Sequence, residues 1–182
     1  MPIYPIEIHS LHIAPKHRVF GRGQEDLSGA DLRFMESVKV VADSGIAGDR
    51  FCRYRPGYNG HVTFFSREVW DDVSRILDIS PERGPELTRR NIIVSGVDLK
   101  ALYGVEFSLQ DIQFFGTRHC SPCPAMNRAI GEGATKALRG RGGLRAQVKS
   151  SGTLKVGQYN LSTEAIFDFR KAGEQPASLK LP

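Results

Sequence analysis

Hydrophobic residues in this chain mostly alternate with polar ones, at the period of two that is typical of β-strands. The alternation predicts strands at residues 6–8 and 32–41, and a β-branched and aromatic strand at residues 61–65. Further strands are predicted at residues 91–94, 107–109, 112–115, 144–148 and 154–156. Many short strands separated by turn residues predict a mainly β fold, a closed or nearly closed β-barrel with a few short peripheral α-helices.

The period becomes helical directly after the strand predicted at residues 61–65. Ser66 is a suitable N-cap for this helix, and Pro81 predicts its end. Its apolar face is formed by Val69, Trp70, Val73, Ile76 and Leu77. Two shorter helices are predicted at residues 125–130 and 134–138, each followed by a glycine.

Length and composition predict one domain over residues 1–182, because 182 residues that are 40% hydrophobic can bury a substantial core. A loose tail is predicted from about Gly173. We expect no membrane span and no secretory signal, since no apolar run approaches about 20 residues and the N-terminus lacks a basic start and a cleavage site. Three cysteines form no disulfide framework, so a cytoplasmic location is expected.

The charge pattern indicates an anionic ligand. The net charge is +5, and 17 arginines outnumber 8 lysines. Guanidinium holds phosphate or carboxylate in a fixed, two-pronged geometry. Arginines flank Cys120 on both sides: Arg89, Arg90, Arg118, Arg128, Arg139, Arg141 and Arg145. Such a charge suits a polyanionic small molecule or a nucleic acid. We favour the small molecule over the nucleic acid, because the aromatic residues lie mostly at strand-core positions, not between the arginines.

The motif Cys120-Ser121-Pro122-Cys123 has several interpretations. A zinc site normally takes four ligands, and Cys52, His61 and His119 are scattered along the chain. A thioredoxin-like dithiol fits the local sequence, but the alternating strand and helix pattern of that fold is absent. Two unreactive cysteines near a turn are a third interpretation. The fourth is a single functional thiol, which Arg118 and the start of a short helix would favour as thiolate. A thiolate can carry a persulfide or ligate a soft metal such as molybdenum or copper.

Three further motifs contain arginine. Arg89 and Arg90 stand at the mouth of a predicted strand, where a solvated strand end is the simpler interpretation. In residues 139–145, glycines would let backbone amides approach an oxyanion and arginines would bind it, although a flexible surface loop has the same composition. This segment lacks the Gly-Lys-Ser/Thr ending of a Walker loop. Residues 45–50 are most simply a structural turn.

Taken in order, these motifs resemble the MOSC domain, the module named after the C-terminal part of molybdenum-cofactor sulfurases. The motifs that carry the resemblance lie at residues 45–50, 88–99, 102–107, 116–123 and 141–146. The match spans roughly residues 30–160. The resemblance implies a β-rich barrel and a link to the molybdenum cofactor.

The resemblance also implies roles for individual residues. Cys120 would be the metal ligand or the sulfur carrier. The cofactor would be bound by Arg89, Arg90, Asn91, Thr117, Arg118, Arg141 and Arg145. Asp49 and Arg50 would brace the loop beneath the site. The reaction would be sulfur transfer or reduction of an N-hydroxylated compound, with a small-molecule substrate and an external electron donor or sulfur donor protein. The sequence does not indicate an oligomeric state.

The sequence departs from the family in some features and leaves one alternative open. His119 stands before the cysteine, where many relatives have another residue. Pyridoxal phosphate is not expected, because Lys100, Lys136 and Lys149 lie in no recognisable cofactor motif. The alternative is a thiol redox or persulfide-trafficking protein without a metal, in which Cys123 would modulate Cys120 or form a resting disulfide with it.

Overall fold

The computed structural model describes residues 1–15, 32–80 and 82–169. Some features of the sequence analysis lie outside these residues. They are Pro81, which was predicted to end the first helix, and the loose tail predicted from about Gly173.

The described residues form eleven strands and three short α-helices. The strands are β1 (Ile3–Ile13), β2 (Arg33–Met35), β3 (Ser37–Val41), β4 (Gly45–Ile46), β5 (Val62–Ser66), β6 (Ile92–Ser95), β7 (Glu106–Leu109), β8 (Ile112–His119), β9 (Leu144–Val148), β10 (Gly152–Lys155) and β11 (Gly157–Thr163). The helices are α1 (Arg67–Ile76), α2 (Ala125–Ala129) and α3 (Ala134–Ala137), with a 3-10 turn at Pro85–Thr88. None of the described helices has the length and apolar character needed to cross a bilayer.

Seven of these strands close into a β-barrel, which confirms the predicted fold class. Their order is β11-β7-β8-β9-β5-β6-β1, and β1 pairs with β11 to complete the circle. Closure depends on the length of β1, because its first half pairs with β11 and its second half with β6. A bulge between Ile8 and Ser10 lies where β1 runs along β6. Among the described strands, β5 and β6 are the one parallel pair, and α1 forms part of the connection between them.

The strand predicted at residues 32–41 is wrong as one element. It breaks at Glu36 into β2, which pairs with the end of β1, and β3, which pairs with β10 and β4 in a separate three-stranded sheet. The strand β11 has no counterpart in the sequence analysis, because its residues are largely polar. Only Leu161 and Thr163 of β11 are buried.

Apolar side chains fill the barrel and also cover part of its outer face. Phe64, Phe107 and Phe114 pack against one another in the interior, with ring centroids 5.3–5.6 Å apart. On the outer face, Phe65 of β5 and Ile93 of β6 belong to a second apolar cluster with residues of α1, α2 and α3. We call this part of the outer face the helix side.

Helix α1 begins and ends where local chemistry requires. The Ser66 side chain accepts a hydrogen bond from the Val69 backbone N–H (3.1 Å), as predicted for an N-cap. At the other end, Asp78 adopts a left-handed conformation (φ 50°) and the Ile79 N–H donates to the Ser74 carbonyl (2.9 Å). The helix therefore ends before Pro81, through a Schellman-type cap.

Candidate functional site

Beside the helix side, the outer face carries a polar network centred on Asn91, just before β6. Its Oδ1 accepts from the backbone N–H (3.1 Å) and the hydroxyl (2.8 Å) of Thr63. Its Nδ2 donates to the His12 carbonyl (3.1 Å) and to Asp49 Oδ2 (3.2 Å). These four bonds use the full capacity of the amide, and they tie β1, β5 and the loop at residues 47–61 together. Direct binding of a cofactor by Asn91 stays a prediction.

Asp49 anchors this loop. Besides Asn91, its carboxylate accepts from the backbone N–H groups of Ala14 (3.0 Å) and Phe51 (3.0 Å), and the residue is buried. The contacts agree with the expectation that Asp49 braces the loop. They also fix the chain on both sides of Arg50. We call the part of the outer face under this loop, around Thr63 and Asn91, the loop side.

Three arginines gather on the loop side: Arg50, Arg89 and Arg90, here called the arginine cluster. Burial lowers the pKa of the Arg50 guanidinium, and the charges of Arg89 and Arg90 lower it further, while Asp49 partly opposes the shift. Arg90 donates from Nε to the Gly142 carbonyl (3.0 Å) and from Nη1 to the Thr88 carbonyl (2.9 Å). Three guanidinium groups close together form a positively charged patch that suits an anion.

Cys120 lies at the end of β8 and is 1% exposed. Its backbone N–H donates to the Gly143 carbonyl (2.8 Å). The Gly142 carbonyl, one residue away, accepts from Arg90. The backbone of Cys120 and the side chain of Arg90 therefore bind neighbouring carbonyls, those of Gly143 and Gly142.

Close backbone packing explains why these two positions are glycines. A Cβ at residue 142 would overlap the Cys120 carbonyl, and a Cβ at residue 143 would overlap the Phe64 carbonyl. Gly143 also adopts a positive φ of 106°. From the sequence, these glycines are predicted to let backbone amides approach an oxyanion. Their contacts in the structure are with other backbone segments.

His119 adds a hydrogen-bond acceptor next to Cys120. The pKa of its ring is lowered, first by burial and then by the charges of Arg90 and Lys100, although a hydrogen bond with the Gly143 backbone opposes the shift. The Nε2 atom is buried and has no hydrogen-bond partner among the described residues. The imidazole is therefore close enough to Arg90 to be affected by its charge, and it shares the Gly143 backbone with the Cys120 N–H.

Thr117, Arg118 and Arg145 lie at the β8–β9 edge of the loop side. Arg145 donates from Nη1 to the Tyr58 hydroxyl (3.1 Å), and Tyr58 in turn acts electrostatically on Arg50. The Thr117 hydroxyl contacts the carbonyls of Arg145 (3.0 Å) and Asn59. Arg118 is exposed and faces Arg145 across the β8–β9 pair. Tyr58 and Arg50 were not predicted as ligand-binding residues. The one sequence signal for them is their position in the arginine- and aromatic-rich segment after Asp49.

The structure places Arg141 elsewhere, on the helix side. Its buried guanidinium pairs with Asp72 of α1, with Nη1 2.5 Å from Oδ2, and its Nε donates to the Ala137 carbonyl (2.9 Å). The hydrogen bond and charge of Arg141 lower the pKa of Asp72. The structure therefore does not bring Arg141 together with the arginine cluster, and a cofactor contact for it stays a prediction.

Cys123 also belongs to the helix side, where it packs against the second apolar cluster. In the described part of the chain, no three His, Cys, Asp or Glu side chains come together as a metal site.

Comparison with known proteins places this arrangement in context. The MOSC domain family matches residues 47–159. No curated protein sequence matches the chain. Among solved structures, YuaD from Bacillus subtilis aligns with 88% of this chain and 96% of its own, at 16% identity and a TM-score of 0.65. YiiM from Escherichia coli aligns with 95% of this chain and 76% of its own, at 16% identity and a TM-score of 0.57. At this level of identity, the likeness to solved structures shows a shared fold.

Proposed function

Because the chain belongs to the MOSC domain family, we propose that it binds a molybdenum cofactor, with Cys120 as the metal ligand or the sulfur carrier. One observation supports this assignment most strongly. Arg90 binds the Gly142 carbonyl and the Cys120 N–H binds the Gly143 carbonyl. The Arg90 guanidinium and the backbone of Cys120 thus contact adjacent glycines, which suits a ligand with a phosphate at one end and a soft metal at the other.

The residues of the loop side fit such a ligand. Arg50, Arg89 and Arg90 would bind the cofactor phosphate, because guanidinium groups hold phosphate through charge-assisted hydrogen bonds. Further contacts at the β8–β9 edge would come from Arg145, Thr117 and Arg118. Asn91 and Asp49 would hold the loop in place beneath these groups.

Cys120 supplies the soft donor. A thiolate ligates molybdenum or carries a sulfur atom, and the 1% exposure of this residue keeps bulk water away from the sulfur. When bound, the cofactor would supply the redox or sulfur chemistry. The reaction we propose is sulfur transfer, or reduction of an N-hydroxylated compound with electrons from an external donor. The cytoplasmic location stays a prediction.

The test measures molybdenum and pterin on the purified chain, before and after incubation with free cofactor. We expect both on the wild type and on Cys123→Ser, the matched control, because Cys123 packs on the helix side. Cys120→Ser should lose the molybdenum or its bound sulfur, and Arg90→Ala should lose pterin as well. Wild-type protein that takes up neither would refute the proposal.

The same samples test the thiol-only alternative. A redox or persulfide protein without a metal would show, by intact mass under non-reducing conditions, a gain of one sulfur atom or a loss of two hydrogens, with no molybdenum. The packing of Cys123 against apolar side chains of α1–α3 argues against a readily formed disulfide with Cys120. No observation favours this alternative over the cofactor.

A further inference from the structure

The loop at residues 47–61 contains an unusual mixture of side chains. Residues 50–58 read Arg-Phe-Cys-Arg-Tyr-Arg-Pro-Gly-Tyr, with three arginines, three aromatic rings and no acidic residue. We call this segment the aromatic–arginine loop. It is an exception to the placement of most aromatic residues at strand-core positions, because in this segment the aromatic residues alternate with arginines.

The three rings form one packed group on the protein surface. Phe51 stacks on Tyr58, with centroids 5.4 Å apart and an interplanar angle of 21°. Tyr54 meets both rings edge to face, at 5.6 Å from Phe51 and 5.0 Å from Tyr58. Phe51 and Tyr58 are partly buried, whereas Tyr54 is 50% exposed. The inner rings therefore support a tyrosine that reaches into solvent.

The arginines surround this group. The Arg55 guanidinium lies 5.5 Å from the Tyr58 ring centroid and 5.9 Å from that of Tyr54. Arg50 lies 4.7 Å from the Phe51 centroid. Arg53 is exposed, in a left-handed backbone conformation (φ 57°) that is fixed by a hydrogen bond from its N–H to the Ser44 carbonyl (3.1 Å). The nearest acid in sequence, Asp49, is buried and occupied by N–H donors.

An exposed ring among cations matches the chemistry of a nucleotide chain. A base presents a flat face that stacks on an aromatic side chain, and its phosphates bind arginine. Single strands expose these faces, whereas a duplex hides them. We propose that the aromatic–arginine loop binds single-stranded nucleic acid, with a base on Tyr54 and the neighbouring phosphates on Arg53 and Arg55. The proposal does not depend on the cofactor, because none of these three residues was assigned to its site.

The test is fluorescence anisotropy with a labelled single-stranded oligonucleotide of about 12 nucleotides, within the size range of known single-strand sites. Tyr54→Ala should weaken binding about 10-fold, because it removes one stacking contact, and Tyr54→Phe should retain nearly wild-type affinity. Arg53→Ala and Arg55→Ala should each reduce the slope of log K against log salt by about 0.7. The same sequence as a duplex should bind more weakly than the single strand.

Tyr103→Ala is the matched control, since Tyr103 is 56% exposed and lies outside the loop. It should leave affinity unchanged. Equal affinity of Tyr54→Ala and the wild type, or an equal loss in Tyr103→Ala, would overturn the proposal. Adenosine monophosphate should compete only far above the oligonucleotide concentration. Displacement at stoichiometric concentration would identify a free nucleotide as the partner and would likewise overturn it.

Discussion

The helix side and the loop side of the barrel hold arginine in opposite ways. On the helix side, Arg141 pairs with Asp72, and the pairing lowers the pKa of that carboxyl group. On the loop side, Arg50 lies near Arg89 and Arg90, and both burial and these like charges lower the pKa of its own guanidinium. The fold stabilises the negative charge of Asp72 on the helix side. On the loop side, it disfavours the positive charge of Arg50.

This difference separates structural from ligand-binding arginines better than position in the sequence does. A buried charge needs a partner, and removing the partner is costly. Arg141 finds that partner within the fold, and the pair ties α1 to the segment that precedes β9. In the arginine cluster, like charges lower the pKa of Arg50, and a bound anion would offset this repulsion. The predictions below test this contrast.

The largest effect is expected for Asn91→Asp, beneath the arginine cluster. The substitution keeps the size of the side chain but replaces the Nδ2 donor with an oxygen, which would face the His12 carbonyl and the Asp49 carboxylate. We expect a loss of about 3–4 kcal/mol in the free energy of unfolding, measured with urea, since donors are lost and two carboxylates meet. Asn91→Ala should cost no more than Asn91→Asp. A variant as stable as the wild type would show that the network does not hold the loop side.

Next in size is Arg141→Ala on the helix side. It leaves Asp72 without its buried partner and the Ala137 carbonyl without a donor. We expect a loss of about 3 kcal/mol in the free energy of unfolding, somewhat below the usual range for buried pairs because Asp72 keeps Arg75 nearby. Arg139→Ala, at an exposed neighbour, is the control and should change stability by less than about 0.5 kcal/mol. A loss of anion affinity without a loss of stability would contradict the structural role.

Sequence patterns predicted most of the barrel, because apolar and polar residues alternate in β9 and the residues of β5 are largely β-branched and aromatic. The prediction failed for strands whose residues are mostly polar or whose pairing changes along one pattern. In β11, most residues are polar and the strand forms through its backbone pairing with β1 and β7. The break at Glu36 was also not predictable, since β2 and β3 share one alternating pattern while pairing in different sheets.

The candidate site was predicted in part. Arg89, Arg90 and Cys120 were singled out by residue type and motif, and the structure brings their segments together. Arg141 was grouped with them because it lies near in sequence, yet its partner Asp72 is 69 positions away. The chain offers no local signal for such a pair. The ligand-facing role proposed for Arg50 depends on Arg89 and Arg90, which tertiary folding alone brings near.

A smaller stability effect is expected for Arg50→Met on the loop side. Methionine retains much of the apolar stem beside Phe51 and removes a charge that its surroundings disfavour. The free energy of unfolding should change by less than about 1 kcal/mol. Inorganic phosphate should raise the melting temperature of the wild type and of Arg139→Ala, but less that of Arg50→Met. Equal phosphate effects on all three proteins would show that Arg50 does not bind the anion.

The smallest effect is a pH dependence that belongs to the helix side. Because the folded protein lowers the pKa of Asp72 below its ordinary value near 4, the Arg141–Asp72 pair stabilises the fold above that pH and loses its contribution as the pH falls through the folded pKa. The stability difference between wild type and Asp72→Asn should therefore be constant above about pH 5 and shrink below pH 4. Urea unfolding at a series of pH values measures it. In an Arg141→Ala background, the same difference should be small and nearly independent of pH, since the group that lowers the pKa most is gone. A difference that grows with acidity in the wild-type background would show that Asp72 is not stabilised as a carboxylate, and the contrast between the two sides would fail.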